Sequence, residues 1–172
     1  VDTALFIASS RPIRDLEAFA AARTGIITYA NRGLAGIDGN ISTALGIAIS
    51  HKATVAILGD LSFLYDLTGL IQKEDINCRF IIINNDGGGI FSTLPQRGAH
   101  GFETVFGTPH GLNPAEIAKS MGVSAKQISS IKELEAEVKA PISGISVAVC
   151  DVPDRENNAD NLKAIYESLK SF

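Results

Sequence analysis

Two short apolar runs, each followed by polar turn residues, constrain the fold of this chain most. The first run, TVAIL at 54–58, ends in Gly-Asp at 59–60, and the second, FIII at 80–83, ends in Asn-Asn-Asp-Gly at 84–87. Continuous apolar runs of this length are typical of strands buried in a parallel sheet. Because the carboxyl ends of such strands open onto the ligand crevice, we expect both tips to face one ligand.

The residue types at the two tips indicate what that ligand could be. An Asp carboxylate, an Asn amide oxygen and a Gly carbonyl are hard oxygen donors, which suit Mg²⁺, and this ion usually completes its octahedron with phosphates and water. The pattern therefore favours a magnesium-diphosphate site. The alternative is a plain turn and loop cap, since Gly, Asn and Asp dominate turns for purely local reasons.

Predicted strands and helices alternate along the chain. Apolar runs predict strands at 4–8, 26–29, 54–58, 79–83 and 145–149. Helical spacing and capping signals predict helices over 12–22, 41–50, 67–73 and 160–169, and two more that begin after Asn113 and Ser130. This order implies one α/β domain over 1–172, with a mostly parallel sheet that carries helices on both faces.

Composition narrows the class of protein further. Hydrophobic residues make up 45% of the 172 residues and charged residues 20%, as in ordinary globular domains. The net charge of -4 argues against a nucleic-acid partner. We find no apolar stretch of membrane-spanning length and no signal peptide, and Cys78 and Cys150 are interpreted as reduced thiols. The chain, which begins with Val1, is expected to be a piece of a larger cytoplasmic protein.

The two tips resemble the cofactor-binding motif of thiamine diphosphate enzymes, in which Gly-Asp is followed about twenty-five positions later by Asn-Asn. In those enzymes the Asp, the second Asn and a backbone carbonyl hold the metal ion. The resemblance implies that Asp60, Asn85 and the carbonyl of Gly87 bind Mg²⁺, with Mn²⁺ as the alternative ion. It also implies the thiamine diphosphate-binding fold.

Longer blocks of sequence resemble one family of these enzymes. The blocks are SSRPIR at 9–14, NRGLAGIDG at 31–39, GDLS at 59–62, YDL at 65–67 and NNDGGGIF at 84–91. They are similar to the 2-succinyl-5-enolpyruvyl-6-hydroxy-3-cyclohexene-1-carboxylate synthases of menaquinone biosynthesis, which join 2-oxoglutarate to isochorismate. The family usually has Asn at the position of Ser9, so no role is carried over to that residue.

Candidate cofactor contacts cluster at the strand tips and the glycine-rich turns. Glycines lack the Cβ that would block close approach of a diphosphate, and backbone N–H groups can neutralise part of its charge. By resemblance Ile37 props the cofactor in its bent shape, although core packing explains that residue equally well. The full candidate set is Ile37, Asp60, Leu61, Ser62, Asn85, Gly87, Gly88, Gly89, Ile90 and Phe91.

Substrate binding is expected to need cations, because 2-oxoglutarate and isochorismate each carry two carboxylates. Arginine binds a carboxylate with two parallel donors. Arg14 and Arg32 match the family's substrate arginines, with Ser10 beside them. The alternative for each arginine is a solvated surface charge.

One essential group has no match in this chain. In thiamine diphosphate enzymes a Glu from a pyrimidine-binding domain, usually of another subunit, activates the cofactor. None of the glutamates here stands in such a motif. We therefore interpret the chain as the C-terminal diphosphate-binding domain of a homodimeric or homotetrameric enzyme, inactive alone.

Two alternative functions remain, and one segment of the chain has no assigned role. Another thiamine diphosphate enzyme, such as a 2-oxo acid decarboxylase or acetolactate-type synthase, usually has Gly-Asp-Gly where this chain has GDL at 59–61. A non-catalytic nucleotide-binding module is suggested by the glycines of 33–39, but their spacing differs from the dinucleotide fingerprint. The segment 86–112 lacks periodicity and is expected to be mobile without cofactor, with no role assigned to His100 or His110.

Overall fold

The computed structural model describes residues 2–71 and 75–170. Within them, six strands form a fully parallel sheet in the order β2-β1-β3-β4-β6-β5. The strands are β1 Thr3–Ile7, β2 Ile27–Tyr29, β3 Ala53–Gly59, β4 Cys78–Asn84, β5 Ser124–Ile128 and β6 Ile145–Asp151. The helices are α1 Arg11–Phe19, α2 Asn40–Ile49, α3 Asp60–Leu64, α4 Pro114–Ser120, α5 Ile131–Lys139 and α6 Arg155–Leu169. The predicted fold class is confirmed.

The two faces of the central strands pack into separate clusters. Phe80 and Ile82 of β4 belong to the larger cluster, which also contains Ile41 of α2. Ile81, between them, points to the opposite face and joins the cluster that Leu134 of α5 covers. Burying one such side chain stabilises the fold by about 1.5–3 kcal/mol. The packing on both faces holds the carboxyl ends of the central strands in fixed positions.

The first turn of α2 is tied to the segment after α3. Asp66 is buried and accepts hydrogen bonds from the backbone N–H of Ser42 at 2.7 Å and from its hydroxyl at 3.1 Å. A Cβ on Gly69 would lie only 2.8 Å from the Ser42 Oγ, so the chain there approaches α2 closely. In place of the helix predicted over 67–73, the structure has a 3-10 helix, Leu67–Leu70. Residues 72 and 73 of that prediction lie outside the described ranges.

Helix starts were predicted well where a capping residue was recognised. The Asn113 side chain accepts from two backbone N–H groups of α4, and Ser130 accepts from the N–H of Glu133 in α5. The predicted start of α6 at 160 is wrong, because Asp154 caps the helix and accepts from the N–H of Asn157 at 2.9 Å. That hydrogen bond lowers the pKa of Asp154. None of the helices in the described part of the chain is long and apolar enough to span a membrane.

Both cysteines are buried and carry free thiols. Cys78 begins β4 and Cys150 lies near the end of β6. Burial raises the pKa of Cys78 to about 12, so this thiol stays protonated at neutral pH. Cys78 is fully buried in the larger cluster and packs there as a small core side chain.

Candidate functional site

A cavity of about 530 Å³ lies at the carboxyl ends of the strands. The chain runs outward from β1 to β2 and returns as β3 on the other side of β1, so the cavity sits where the strand order reverses, the usual ligand position in such sheets. All thirteen candidate residues line it: Ser10, Arg14, Arg32, Ile37, Asp60, Leu61, Ser62, Asn85, Gly87, Gly88, Gly89, Ile90 and Phe91. The structure thus brings the cofactor and substrate candidates into one cavity.

Asp60 connects the tips of β3 and β4. The residue is only 2% exposed, and its Oδ1 accepts from the N–H of Leu61 at 2.7 Å. Its Oδ2 accepts from the N–H of Gly87 at 2.8 Å and from the N–H of Asn85 at 3.2 Å. Donors at the tip of β4 thus fix the carboxylate at the tip of β3. This agrees with the prediction that both tips face one crevice.

His110 also contacts the Asp60 carboxylate. Its Nε2 lies 3.2 Å from Asp60 Oδ2, and its Nδ1 accepts from the N–H of Leu112 at 3.0 Å. A neutral imidazole whose Nδ1 accepts carries its proton on Nε2, so His110 is the donor to Asp60. Sequence reasoning left His110 without a role, because no motif connects residues fifty positions apart. His100 is exposed.

The glycines at 87–89 are required by the packing of the chain itself. A Cβ on Gly87, whose φ is 127°, would lie 2.2 Å from the carbonyl oxygen of Gly107, and one on Gly88 would lie 2.1 Å from that of Phe106. The Gly88 N–H donates to Gly107 at 2.8 Å and the Gly89 N–H to Gly87 at 2.9 Å. These N–H groups, which we expected to face phosphate, therefore have protein acceptors.

The Asn85 side chain, a candidate metal ligand, lies at the cavity. A Cβ on Gly89 would lie 2.1 Å from the Asn85 Nδ2, so the glycine leaves room for the amide. Among the described residues, no group forms a hydrogen bond with that side chain, and no cluster of three His, Cys, Asp or Glu side chains could hold a metal. A metal at this cavity would need the mixed oxygen set of Asp60, Asn85 and a backbone carbonyl, which suits Mg²⁺.

A buried asparagine holds the turn after β2 at the cavity. Asn40 is fully buried, and its Nδ2 donates to the carbonyl of Ile37 at 2.8 Å and to that of Gly36 at 3.4 Å. The Ser9 hydroxyl, in turn, donates to the carbonyl of Asn31 at 3.1 Å. Sequence reasoning missed Asn40, although an asparagine directly after a glycine-rich turn is a recognisable signal.

Three arginines line one side of the cavity. Arg14 donates to the carbonyl of Ser10 at 2.7 Å, and Ser10 itself has a positive φ of 74°. Arg11, which was not predicted, pairs with Asp15 at 2.7 Å. Arg32 is exposed, and no residue in the described ranges pairs with it. The positive charge favours anionic ligands, with Arg32 as the most available donor.

These features are those expected of the cofactor-binding domain of a thiamine diphosphate enzyme. Comparison with known families gives the same class of protein. Residues 17–152 match the family model of the C-terminal TPP binding domain of thiamine pyrophosphate enzymes, and the chain belongs to this family. Two solved structures show the same fold. One, from Mycobacterium smegmatis and described as a thiamin diphosphate-dependent enzyme, has a TM-score of 0.67 at 24% identity and matches 89% of this chain and 29% of its own. Benzoylformate decarboxylase from Polynucleobacter necessarius has a TM-score of 0.66 at 19% identity and matches 88% and 30%.

Curated relatives narrow the resemblance to one kind of enzyme. A protein of Thermobifida fusca (strain YX) is 38% identical over 96% of this chain and 31% of its own length. A protein of Staphylococcus aureus (strain JH9) is 40% identical over 98% of this chain and 30% of its own length. Both are named 2-succinyl-5-enolpyruvyl-6-hydroxy-3-cyclohexene-1-carboxylate synthase, so the predicted resemblance is confirmed. The chain spans about 30% of the length of these relatives.

Proposed function

We propose that this chain is the diphosphate-binding domain of a 2-succinyl-5-enolpyruvyl-6-hydroxy-3-cyclohexene-1-carboxylate synthase. The full-length protein would decarboxylate 2-oxoglutarate and add the resulting succinyl unit to isochorismate, in the cytoplasm, for menaquinone biosynthesis. The observation that supports this most is the single cavity lined by all thirteen candidate residues. The names of the relatives support the particular reaction.

The metal and the diphosphate bind, in this proposal, at the tips of β3 and β4. Asp60, Asn85 and the carbonyl of Gly87 hold Mg²⁺, or Mn²⁺ in its place. Because the glycine N–H groups already have protein acceptors, the metal ion neutralises most of the diphosphate charge, with Ser62 beside it in the cavity.

The remaining cavity residues orient the cofactor and exclude water. When bound, thiamine diphosphate supplies an acidic carbon and an electron sink for decarboxylation of an oxo acid. Ile37, held by Asn40, supports the cofactor from one side, and Ile90 and Phe91 form an apolar wall on the other. Such a wall keeps water away from the reacting carbon and strengthens the electrostatic interactions inside the cavity.

The substrate carboxylates bind to the arginines in this proposal. Arg32 has a free guanidinium at the cavity, and Arg14 is positioned by its hydrogen bond to the Ser10 carbonyl. Planar guanidinium groups bind carboxylates with two parallel hydrogen bonds, which fixes the orientation of the oxo acid as well as its affinity. Arg14 and Arg32 therefore select for dicarboxylates over pyruvate.

The proposal includes a second domain that completes the site. No glutamate of the described residues lines the cavity, so the activating Glu would come from a pyrimidine-binding domain of another subunit. The assembly would be a homodimer or a homotetramer.

The reaction can be tested with the full-length protein, thiamine diphosphate and Mg²⁺. We expect the absorbance of isochorismate to fall when 2-oxoglutarate is supplied and to stay constant with pyruvate. Loss of isochorismate with pyruvate would favour a different thiamine diphosphate enzyme. If the protein binds ATP or NAD but no thiamine diphosphate, it is a nucleotide-binding module and the proposal is wrong.

A further inference from the structure

We propose that His110 is a positioning residue for the metal ligand Asp60, and that its N–H directs Oδ1 of this carboxylate to the metal. The inference rests on the proposed function, because it assumes that Asp60 binds Mg²⁺. His110 and Asp60 are fifty positions apart, yet the imidazole Nε2 lies 3.2 Å from Asp60 Oδ2, and both side chains are nearly buried.

The donors around Asp60 are distributed unequally between its two oxygens. Oδ2 accepts from three groups, the N–H groups of Asn85 and Gly87 and the imidazole of His110. Oδ1 accepts only from the N–H of Leu61. A carboxylate oxygen offers about two lone-pair sites, so three donors leave Oδ2 no free lone pair. Oδ1 is then the oxygen that remains to coordinate a cation, in a monodentate mode.

Hydrogen bonds hold both the imidazole and the backbone of His110, as a positioning group needs. The N–H of Leu112 donates to Nδ1 at 3.0 Å and thereby places the proton on Nε2. The Asp86 carboxylate accepts from the backbone N–H groups of His110 at 3.0 Å and of Gly111 at 2.7 Å. Asp86 follows Asn85 directly. The loop that carries the proposed ligands Asn85 and Gly87 therefore also holds the segment that carries His110. Outer hydrogen bonds of this kind typically change metal affinity by about 10–100-fold.

Two substitutions separate the contact with Asp60 from the contact with Leu112. In His110→Gln the side-chain Nε2 can still donate to Asp60, because it stands at about the same distance from the backbone as the imidazole Nε2. In His110→Asn the shorter side chain can still accept from Leu112 but cannot reach Asp60. The matched control is His100→Gln, an exposed histidine of the same segment.

The measurement is Mn²⁺ binding to the full-length protein at a fixed concentration of thiamine diphosphate. Loss of the electron paramagnetic resonance signal of free Mn²⁺ gives the dissociation constant directly, with a protein-free sample as reference. We expect His110→Asn to raise this constant about tenfold or more, and His110→Gln to restore it to within about threefold of the wild type. His100→Gln should match the wild type. Thermal unfolding without metal verifies that each variant is folded.

The outcomes distinguish this inference from the proposed function. If the wild-type protein binds no Mn²⁺ together with thiamine diphosphate, the proposed function fails. If the wild type binds and His110→Asn binds equally well, or if His110→Gln is the weaker of the two variants, His110 only packs the segment and the inference is overturned. A variant that does not fold is replaced by His110→Ser, for which the same loss of Mn²⁺ affinity is expected.

Discussion

Arg32 is the cavity residue whose proposed role is easiest to separate from the rest. It follows β2, lies exposed at the cavity, and has no partner in the described ranges, so its removal should disturb no contact of the fold. A hydrogen bond to a charged group contributes about 1.5–3 kcal/mol, which corresponds to roughly 10–100-fold in affinity. We expect Arg32→Ala to raise the KM for 2-oxoglutarate by about this factor while the affinity for thiamine diphosphate stays unchanged.

Steady-state kinetics and calorimetric titration of the cofactor provide the two measurements. Arg23→Ala is the matched control, because Arg23 is an exposed arginine of the preceding loop that does not line the cavity. An equal loss of substrate and cofactor affinity in Arg32→Ala would contradict the assignment of Arg32 to the substrate carboxylate.

Single residues differ in how far the sequence alone could predict them. Asp60 and Asn85 could be placed at one crevice because each stands two positions after the end of an apolar run, and the N–H of Asn85 does donate to Asp60. His110 could not, since only the folded chain brings it to Asp60. The glycines at 87–89 were predicted to leave room for a diphosphate, whereas in the structure Gly87 and Gly88 approach the carbonyls of residues 106–107 and Gly89 leaves room for the Asn85 side chain.

At the scale of elements, one buried arginine holds the end of α5 on the sheet. Arg79 of β4 is 5% exposed and donates to the carbonyls of Glu137 at 2.7 Å, Ala140 at 2.9 Å and Pro141 at 2.8 Å. Its Nε also lies 2.7 Å from the Glu137 carboxylate. We expect Arg79→Met to destabilise the fold by about 3–5 kcal/mol, because Glu137 and the carbonyls would stay buried without this donor.

Urea unfolding measures this change, and Lys126→Met is its control. Lys126 pairs with the same Glu137 but is 58% exposed, so its removal should cost less than about 1 kcal/mol. Neither residue lines the cavity, and the affinity for thiamine diphosphate should therefore be unchanged in both variants. Similar losses of stability in the two variants would show that Arg79 contributes no more than a surface ion pair.

The elements that were predicted and those that were missed differ in how much apolar surface they bury. Strands β3 and β4 were predicted because their apolar runs lie at the centre of the sheet. Strand β5, with sequence SAKQI, was missed, since it pairs only with β6 and buries only Ile128. Helix α3 was missed because five residues are too short for a helical pattern. A strand or helix that depends mainly on its neighbours leaves little trace in its own sequence.

At the scale of the whole molecule, the chain provides one half of the site that we propose. The cavity contains the candidate metal ligands and arginines but, within the described ranges, no glutamate. The chain corresponds to about 30% of the length of its curated relatives. We therefore expect the chain of residues 1–172, purified alone, to leave isochorismate unchanged in the presence of 2-oxoglutarate, thiamine diphosphate and Mg²⁺.

The same assay with the full-length protein at equal concentration provides the comparison, and circular dichroism shows whether the isolated chain is folded. Light scattering should give a homodimer or homotetramer for the full-length protein, because the activating Glu would come from another subunit. Turnover by the folded chain alone would contradict the proposal, since an acidic side chain of the chain itself would then have to activate the cofactor. Among the carboxylates of the described residues, only that of Asp60 lines the cavity. Its two oxygens already accept four hydrogen bonds. A separate acid from the second domain is the arrangement that leaves Asp60 free to hold the metal.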